Sequence, residues 1–550
     1  MRASRCLIWP LSLLHICLTV IATSYEQFDE DLVLTPLPDG KVSAAFTFTT
    51  LLYGAAPRDP HTLNSPDESQ HYTLFPLALG QLLREHAVTE LHLALNAGNW
   101  NYARWGSPPD PAVGTGGELW AWMGTEGPTS IDARWRGLRN SLAGLFCASL
   151  GALDAVRTTA PAAAFPPEGA LPSWRGAHDN GTTTSGAHEI RHASLPAEHV
   201  CTENLTPFLK LLPCKAQSGL AALLNPHRLF GADWHGLGVH VRWVADAGVE
   251  VRLSFQGVFD PLRAPGARGK SDWSLHSLFD RTVSRSCPVA TTSAIRVALP
   301  NSDSYSLVPE PASAAGGVAV YDVHTAAKPL NVALSYPNTF NYPSSYASNS
   351  TPFSVKRTLT GTSQAWGRLS VRITNHRSEE MHVLYLETMP WLLQFHLHTL
   401  TARVDGVLDD TAISHLTYTP AIAHARPTML QAVVRLPPRA TVQLSMDVAK
   451  AFLRYTEHPP DAQRGWDLPP AVLVPVNVSS PLGQTGVRGA GAFVPTGPRV
   501  YTSTLLVDLA TPDFSMPYNV IIFTCTLVAG IFGTVFNTLT RRWVIVRVKA

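Results

Sequence analysis

The chain reads as a mainly β protein with some helices (α+β), a β-sandwich-like body plus one C-terminal transmembrane helix. Three observations predict this. Short runs alternate apolar and polar residues between Pro, Gly and Asn punctuation, the signature of antiparallel sheet. Only three stretches carry helical spacing. An apolar run near each end brackets a body of about 490 residues, too long for one core and enough for two or three domains.

The ends are justified first. Met1-Arg2-Ala3-Ser4-Arg5 is basic, Cys6 to Ala22 is apolar, and Ala22-Thr23-Ser24 offers small residues for cleavage. Residues 1–24 therefore read as a signal peptide. Residues 518–539 are apolar again. As a helix this run spans roughly 33 Å, a bilayer's hydrocarbon thickness. Arg541, Arg542, Arg547 and Lys549 follow and mark the cytosolic side. The expectation is a type I membrane protein with a transmembrane helix at 516–540 and a cytosolic tail at 541–550.

Composition narrows the partners. Net charge is +1 and charged residues make up 15%, well below the usual quarter. No basic stripe is present, which argues against a nucleic-acid partner. Low charge suits a body that buries surface against other subunits. N-glycosylation sequons begin at Asn180, Asn204, Asn349 and Asn477, in keeping with a lumenal body. Outside the two apolar ends the cysteines are Cys147, Cys201, Cys214 and Cys287. They are too few and too widely spaced for a zinc ribbon or a disulfide scaffold. Either two internal bridges form, or one cysteine bonds to a partner.

Along the body, Leu91, Leu93 and Leu95 alternate with His92 and Ala94, and Val442, Leu444, Met446 and Val448 with polar neighbours. Similar runs at 41–49, 239–244, 249–255, 368–374 and 430–436 predict strands with one wet face. Residues 74–86, 136–150 and 272–283 carry apolar residues at helical spacing. The Pro-, Ala-, Gly- and Thr-rich stretch 157–187 reads as a loop, as do 300–316 and 480–499. A boundary near 300 divides an N-terminal mixed domain (25–300) from a C-terminal β-sandwich-like domain (301–515).

One catalytic motif calls for a test. His188-Glu189-Ile190-Arg191-His192 matches H-E-x-x-H, which on a helix binds zinc through both His while the Glu activates water. Gly186 before it and Pro196 after it leave barely two turns, so the match reads as chance. No G-x-S-x-G elbow occurs. The reading is a chain with no catalytic residues, cofactor or metal ligands of its own; a membrane-tethered zinc metallopeptidase is the rival. The juxtamembrane segment TPDFSMPYNV (511–520) has more chemistry. Pro517 suits the start of the span, and the unpaired N–H groups of that first turn form an anion site. Asp513, Ser515 and Asn519 surround it, as a phosphate- and ammonium-bearing head group would require. An ordinary cap with interfacial Phe and Tyr anchors accounts for the same residues. Within the span, Thr526 and Gly530, and Ala529 and Gly533, are small residues four apart, a spacing that lets helices approach.

Several stretches together resemble the PIG-T family, the lumenal subunit of the GPI transamidase. They are LVLTPLPDGKVSAAFTF (32–48), HYTLFPLALGQLL (71–83), ELHLALNAGNWNYARWG (90–106), GLFCASL (144–150) and VCTENLTPFLKLLPC (200–214). DWSLHSLFDRTVSRSCP (272–288), LYLETMPWLLQFHLHTL (384–400) and TPDFSMPYNV (511–520) continue in the same order. The resemblance implies a noncatalytic scaffold in the endoplasmic reticulum membrane. Its partners would be a caspase-like cysteine protease subunit, the other membrane subunits and the GPI glycolipid. It implies a disulfide from Cys201 to the protease subunit, leaving at most one internal bridge among Cys147, Cys214 and Cys287. It also favours Asp513, Ser515 and Asn519 as GPI head-group contacts, with Gln463 a further candidate. A third reading, a cell-surface adhesion sandwich, would place the chain elsewhere.

Overall fold

The computed structural model describes residues 26–67, 70–174, 188–198, 200–263, 269–300, 304–343, 351–361, 363–458, 465–478, 493–511 and 515–548. The signal-peptide region, Asn180, Asn349, Gln463 and Asp513 lie outside them.

The first unit begins with strands β1 (Glu26–Pro36), β2 (Val42–Tyr53), β3 (Val88–Ala97), β4 (Gly116–Gly124), β5 (Thr158–Thr159), β6 (His188–Leu195), β7 (Trp234–Val244) and β8 (Gly248–Phe259). It continues through β9 (Trp273–Ser274), β10 (Thr292–Ala298), β11 (Ser306–Val308), β12 (Ser313–Ala315), β13 (Val318–Asp322) and β14 (Ala333–Ser335). One sheet runs in the order β12-β13-β10-β1-β2-β8-β7-β3-β4-β6-β5, while β9, β11 and β14 form a small one. Every neighbour in the large sheet is antiparallel except β1 with β10.

The helices of this unit are α1 (Leu77–Glu85), α2 (Tyr102–Trp105), α3 (Ile131–Phe146), α4 (Thr202–Leu211), α5 (Pro226–Leu229) and α6 (Leu275–Phe279). Leu79, Leu138, Leu142, Phe208 and Phe279 from these helices share one core with Leu32, Phe46, Leu93 and Leu119 of the sheet. The longest, α3, starts at 131, earlier than its apolar spacing suggests. Ser130 Oγ accepts from the Ala133 N–H at 3.3 Å, and an N-cap bond of this kind sets a helix start. Cys147 ends it in the left-handed region at φ 52°.

The second unit contains β15 (Phe353–Thr360), β16 (Trp366–Asn375), β17 (Met381–Met389), β18 (Leu393–Val404), β19 (Val407–Leu408), β20 (Ile413–Thr419) and β21 (Thr428–Leu436). After these come β22 (Thr441–Lys450), β23 (Trp466–Leu468), β24 (Val472–Val478), β25 (Phe493–Pro495), β26 (Val500–Tyr501) and β27 (Leu505–Val507). A sheet β15-β16-β22-β18-β19 faces a sheet β20-β21-β17-β24-β25, which β26 extends along β24. Val371, Val442, Leu444, Tyr385 and Leu430 fill the space between them. This unit is the sandwich that the alternation predicts.

The first unit is not a sandwich: it is one broad sheet with helices on one face. On the other face the second unit covers β4, β6 and parts of β7 and β8. Strand periodicity explains how, because successive residues point to opposite faces. On β17, Val383 and Tyr385 enter the sandwich core, whereas Leu384 and Leu386 join Trp120, Trp122 and Trp234 of the first unit. The central strands β17 and β24 of the six-stranded sheet are thus buried on both faces.

Two expectations are corrected here. The boundary at 300 falls inside the first unit, since β10 before it and β13 after it pair in one sheet; the second unit starts at β15. The polar face of β3 is not wet. His92 is 2% exposed, because Trp120 stacks on its ring and Glu90 and His240 of the same unit supply its polar partners.

After β27 the chain reaches α7 (Ser515–Thr540), whose segment Tyr518–Thr540 is long and apolar enough to cross a membrane. Hydroxyls of Thr526, Thr534, Thr538 and Thr540 donate to carbonyls one turn back at 2.7–2.8 Å. This satisfies them without water, as lipid requires.

Candidate functional site

The segment that carries Cys201 is held at both ends. Cys201 is the N-cap of α4, and its N–H donates to Asn204 Oδ1 at 2.8 Å. Asn204 Nδ2 donates to Phe146 O at 2.9 Å and Cys147 O at 3.3 Å, locking the start of α4 to the end of α3. Beyond α4, Cys214 is bonded to the buried Cys287, with Cα atoms 6.0 Å apart. The pairing left open in the sequence is therefore Cys214–Cys287. Cys201 stays a free, partly exposed thiol and Cys147 a free, exposed one.

The same geometry corrects one glycan expectation. Asn204 is 1% exposed and both hydrogens of its amide face carbonyl acceptors. A sugar replaces one of those hydrogens, removing one of the two bonds, and finds no room beside a side chain that is 1% exposed. Asn477, by contrast, is exposed on β24.

The H-E-x-x-H motif lies on β6, not on a helix. Paired against β4, His188 and His192 point to the buried face and Glu189 to solvent, where it bonds Arg191 at 3.1 Å. Four strand residues separate the two His by roughly 13 Å, far beyond a shared zinc. The zinc-peptidase reading is overturned by this geometry. His192 Nε2 instead faces Glu118 Oε1 at 2.9 Å.

Glu118 belongs to a buried polar network between the two units that sequence reading missed. Tyr501 Oη donates to Glu118 Oε2 at 2.7 Å, and Tyr102 Oη accepts from Tyr501 N–H at 3.1 Å. Arg499 bonds Glu168 at 2.6 Å and lies 5.1 Å from the ring centres of Trp120 and Phe165. Beside it, His92 Nδ1 lies 2.9 Å from His240 Nδ1. His92 Nε2 faces Glu90 at 3.0 Å, and His240 Nε2 lies 2.9 Å from Asp110. Burial pushes the Glu168 carboxyl up, but His92 and Arg499 pull it down to about 2. Burial likewise opposes the Asp110 charge, and His240 and Arg252 more than offset it, holding that carboxyl well below the usual range. Burial lowers His92. The partners lie up to 399 residues apart in sequence, so no local motif could reveal them. Their one trace is Glu90, His92 and Glu118 at strand positions that prove buried.

At the membrane end, α7 begins at Ser515, two residues before Pro517. Pro517 therefore sits at the third helical position, where a missing N–H still costs no intrahelical bond. Asn519, the fifth helical residue, is exposed at the start of the second turn. β27 pairs with β23 through Trp466↔Val507, so the strand after Gln463 runs beside the one that leads to Asp513.

These features define a class: a two-unit, β-rich body followed by a helix long and apolar enough to cross a membrane, offering a clamped thiol. The sequence matches the family described as "Gpi16 subunit, GPI transamidase component" over residues 12–265 and 261–550. The chain belongs to this family, the PIG-T subunits of the GPI transamidase. It is similar to the GPI-anchor transamidase component PIGT of Mus musculus, with 36% identity across 94% of this chain and 90% of that one. The PIG-T homolog of Schizosaccharomyces pombe is 31% identical across 99% and 95%. The GPI16 component of Saccharomyces cerevisiae is 29% identical across 95% and 90%.

Proposed function

We propose that the chain is the noncatalytic scaffold of the GPI transamidase in the endoplasmic reticulum membrane, its body in the lumen. Cys201 bonds to a caspase-like catalytic subunit and holds it in place. Asp513, Ser515 and Asn519, with Gln463, contact the phosphoethanolamine-bearing head group of the GPI lipid. The observation that carries this reading is the cysteine arrangement. Cys214 is engaged with Cys287, while Cys201 stands partly exposed at a helix start clamped by Asn204 and by that disulfide. A tethering thiol needs that combination of access and fixed direction. The Cys214–Cys287 bond and the exposed sequon at Asn477 suit an oxidising, glycan-adding compartment.

A nonreducing gel of microsomes tests the reading, comparing wild type with Cys201→Ser and Cys147→Ser. The expected result is a large reducible species that contains a caspase-like protease and is lost only in Cys201→Ser. If the species survives in Cys201→Ser, or is absent from wild type, the tether is elsewhere.

A further inference from the structure

Strand register sorts the turns of the second unit into two ends. β22 pairs with β18 from Leu393↔Lys450 to Val404↔Val442, and with β16 from Trp366↔Ala449 to Thr374↔Thr441. On the facing sheet, Met389 pairs with Thr428. The start of β16, the turns 390–392 and 420–427, and residues 451–458 therefore share one end. The chain also leaves the body there. Trp466 lines a cavity with Thr388, Pro390 and Pro427, and Val507 pairs with Trp466. Only seven residues separate Val507 from Ser515, the first residue of α7. Even fully extended they reach about 28 Å, so this end is tethered close to the bilayer.

That end has an unusual surface. Trp366, Ile422, Phe452 and Tyr455 are 52, 51, 79 and 43% exposed. Phe452 cannot turn inward, because the next residue, Leu453, already fills the core at 1% exposure. Ile422 lies in the apolar turn Pro420-Ala421-Ile422-Ala423, and Arg426 and Arg454 stand exposed beside these residues. The nearby acid Glu457 accepts from the Arg454 N–H and lies 3.2 Å from His424. The far end, roughly 37 Å away along β18, differs in charge. Its turns carry Glu379, Glu380, Asp405, Asp409 and Asp410 against Arg377 and Arg439, so acids outnumber bases there, and its exposed Val407 and Leu408 lie between those aspartates.

Single exposed apolar residues are ordinary. Three aromatics and an isoleucine, mixed with arginines at the end tethered to a span, have the composition of a membrane interface. We propose that this end of the second unit rests on the bilayer. Phe452 and Ile422 enter the head-group layer, and Arg426 and Arg454 face lipid phosphates. The proposal rests on α7 crossing the membrane.

A photoreactive phenylalanine analogue placed in turn at Phe452, Val407, Phe523 and Phe532 of the full chain, in its own membranes, tests it. The expected result at Phe452 is an adduct with the mass of one phospholipid, with none at Val407. A protein adduct at Phe452, or equal lipid adducts at Phe452 and Val407, overturns the proposal. Lipid adducts on α7 without one at Phe452 overturn it while leaving the span intact. Lipid adducts at none of the positions overturn both.

Discussion

At the residue scale, Glu30 is a carboxyl placed where ionising is costly. It lies on β1 at 1% exposure, accepting from Leu220 N–H at 3.2 Å and Ser293 Oγ at 3.0 Å. Gly219 runs alongside at φ +70° and leaves no room for a Cβ between them. Burial raises the Glu30 carboxyl, and its two hydrogen bonds only partly counter this, leaving it at about 7. The folded chain therefore keeps a proton that the unfolded chain releases at lower pH. Stability from this group is present below the unfolded value and falls as pH rises toward 7. The full cost above that pH is on the order of 3 kcal/mol. Glu30→Gln removes the titration and keeps an oxygen for the same donors. Melting both full-length proteins in detergent at pH 5 and pH 8 checks this. The variant should gain on wild type as pH rises; a gap that is equal at both pH values would refute the assignment.

At the element scale, the strap 200–214 shows what sequence patterns reveal and where they mislead. Its two cysteines and its Asn-Leu-Thr triplet are visible in the sequence, but the triplet folds into a helix cap. Asn204 serves the backbone of Cys201, Phe146 and Cys147, and Thr206 donates back to Thr202 O at 3.1 Å. Thr206→Ala deletes the sequon without touching the cap, so the glycan mass released by endoglycosidase should match wild type; one missing glycan would contradict the buried Asn204. Asn204→Asp keeps an acceptor for Cys201 but turns a second acceptor toward two carbonyls. Leaving those groups unpaired costs on the order of 3 kcal/mol, read as a lower melting temperature. Strands were legible wherever alternation was strict, as at Val442–Val448, because register forces one residue in two to the core. Short helices such as α6 were legible from Leu275, Leu278 and Phe279. The first unit's architecture was not. A strand packed between two units and a strand with a wet face look alike when the buried polar residues are His92 and Glu118. The residues around Cys201 left its partner open and only the family resemblance singled it out, and the choice of Cys287 for Cys214 needed the fold.

At the scale of the whole molecule, the question is what makes two units behave as one body. Apolar contact between Trp120, Trp122 and Trp234 and the outer face of the six-stranded sheet supplies area, but such area tolerates sliding. Arg499 fixes the register. It enters from beside β26 of the second unit, lies over the rings of Trp120 and Phe165, and meets Glu168 of the first. Burial works against its charge, yet Glu168 and Glu118 more than offset this and hold the guanidinium protonated. Two routes of substitution separate charge pairing from packing. Arg499→Ala removes the ring contacts and leaves Glu168, whose side chain is 31% exposed, without its partner; a pair this open to solvent contributes about 1 kcal/mol, with the lost packing over Trp120 and Phe165 added to it. Arg499→Met with Glu168→Gln removes both charges and restores most of the volume, so much of that loss should return. Calorimetry of the full-length chain in detergent is the measurement. Wild type and the double variant should unfold in one transition, and Arg499→Ala in two, because the second unit keeps its own core between its two sheets. If Arg499→Ala unfolds in a single, unshifted transition, the tryptophan face alone joins the units and the ion pair adds nothing to their coupling.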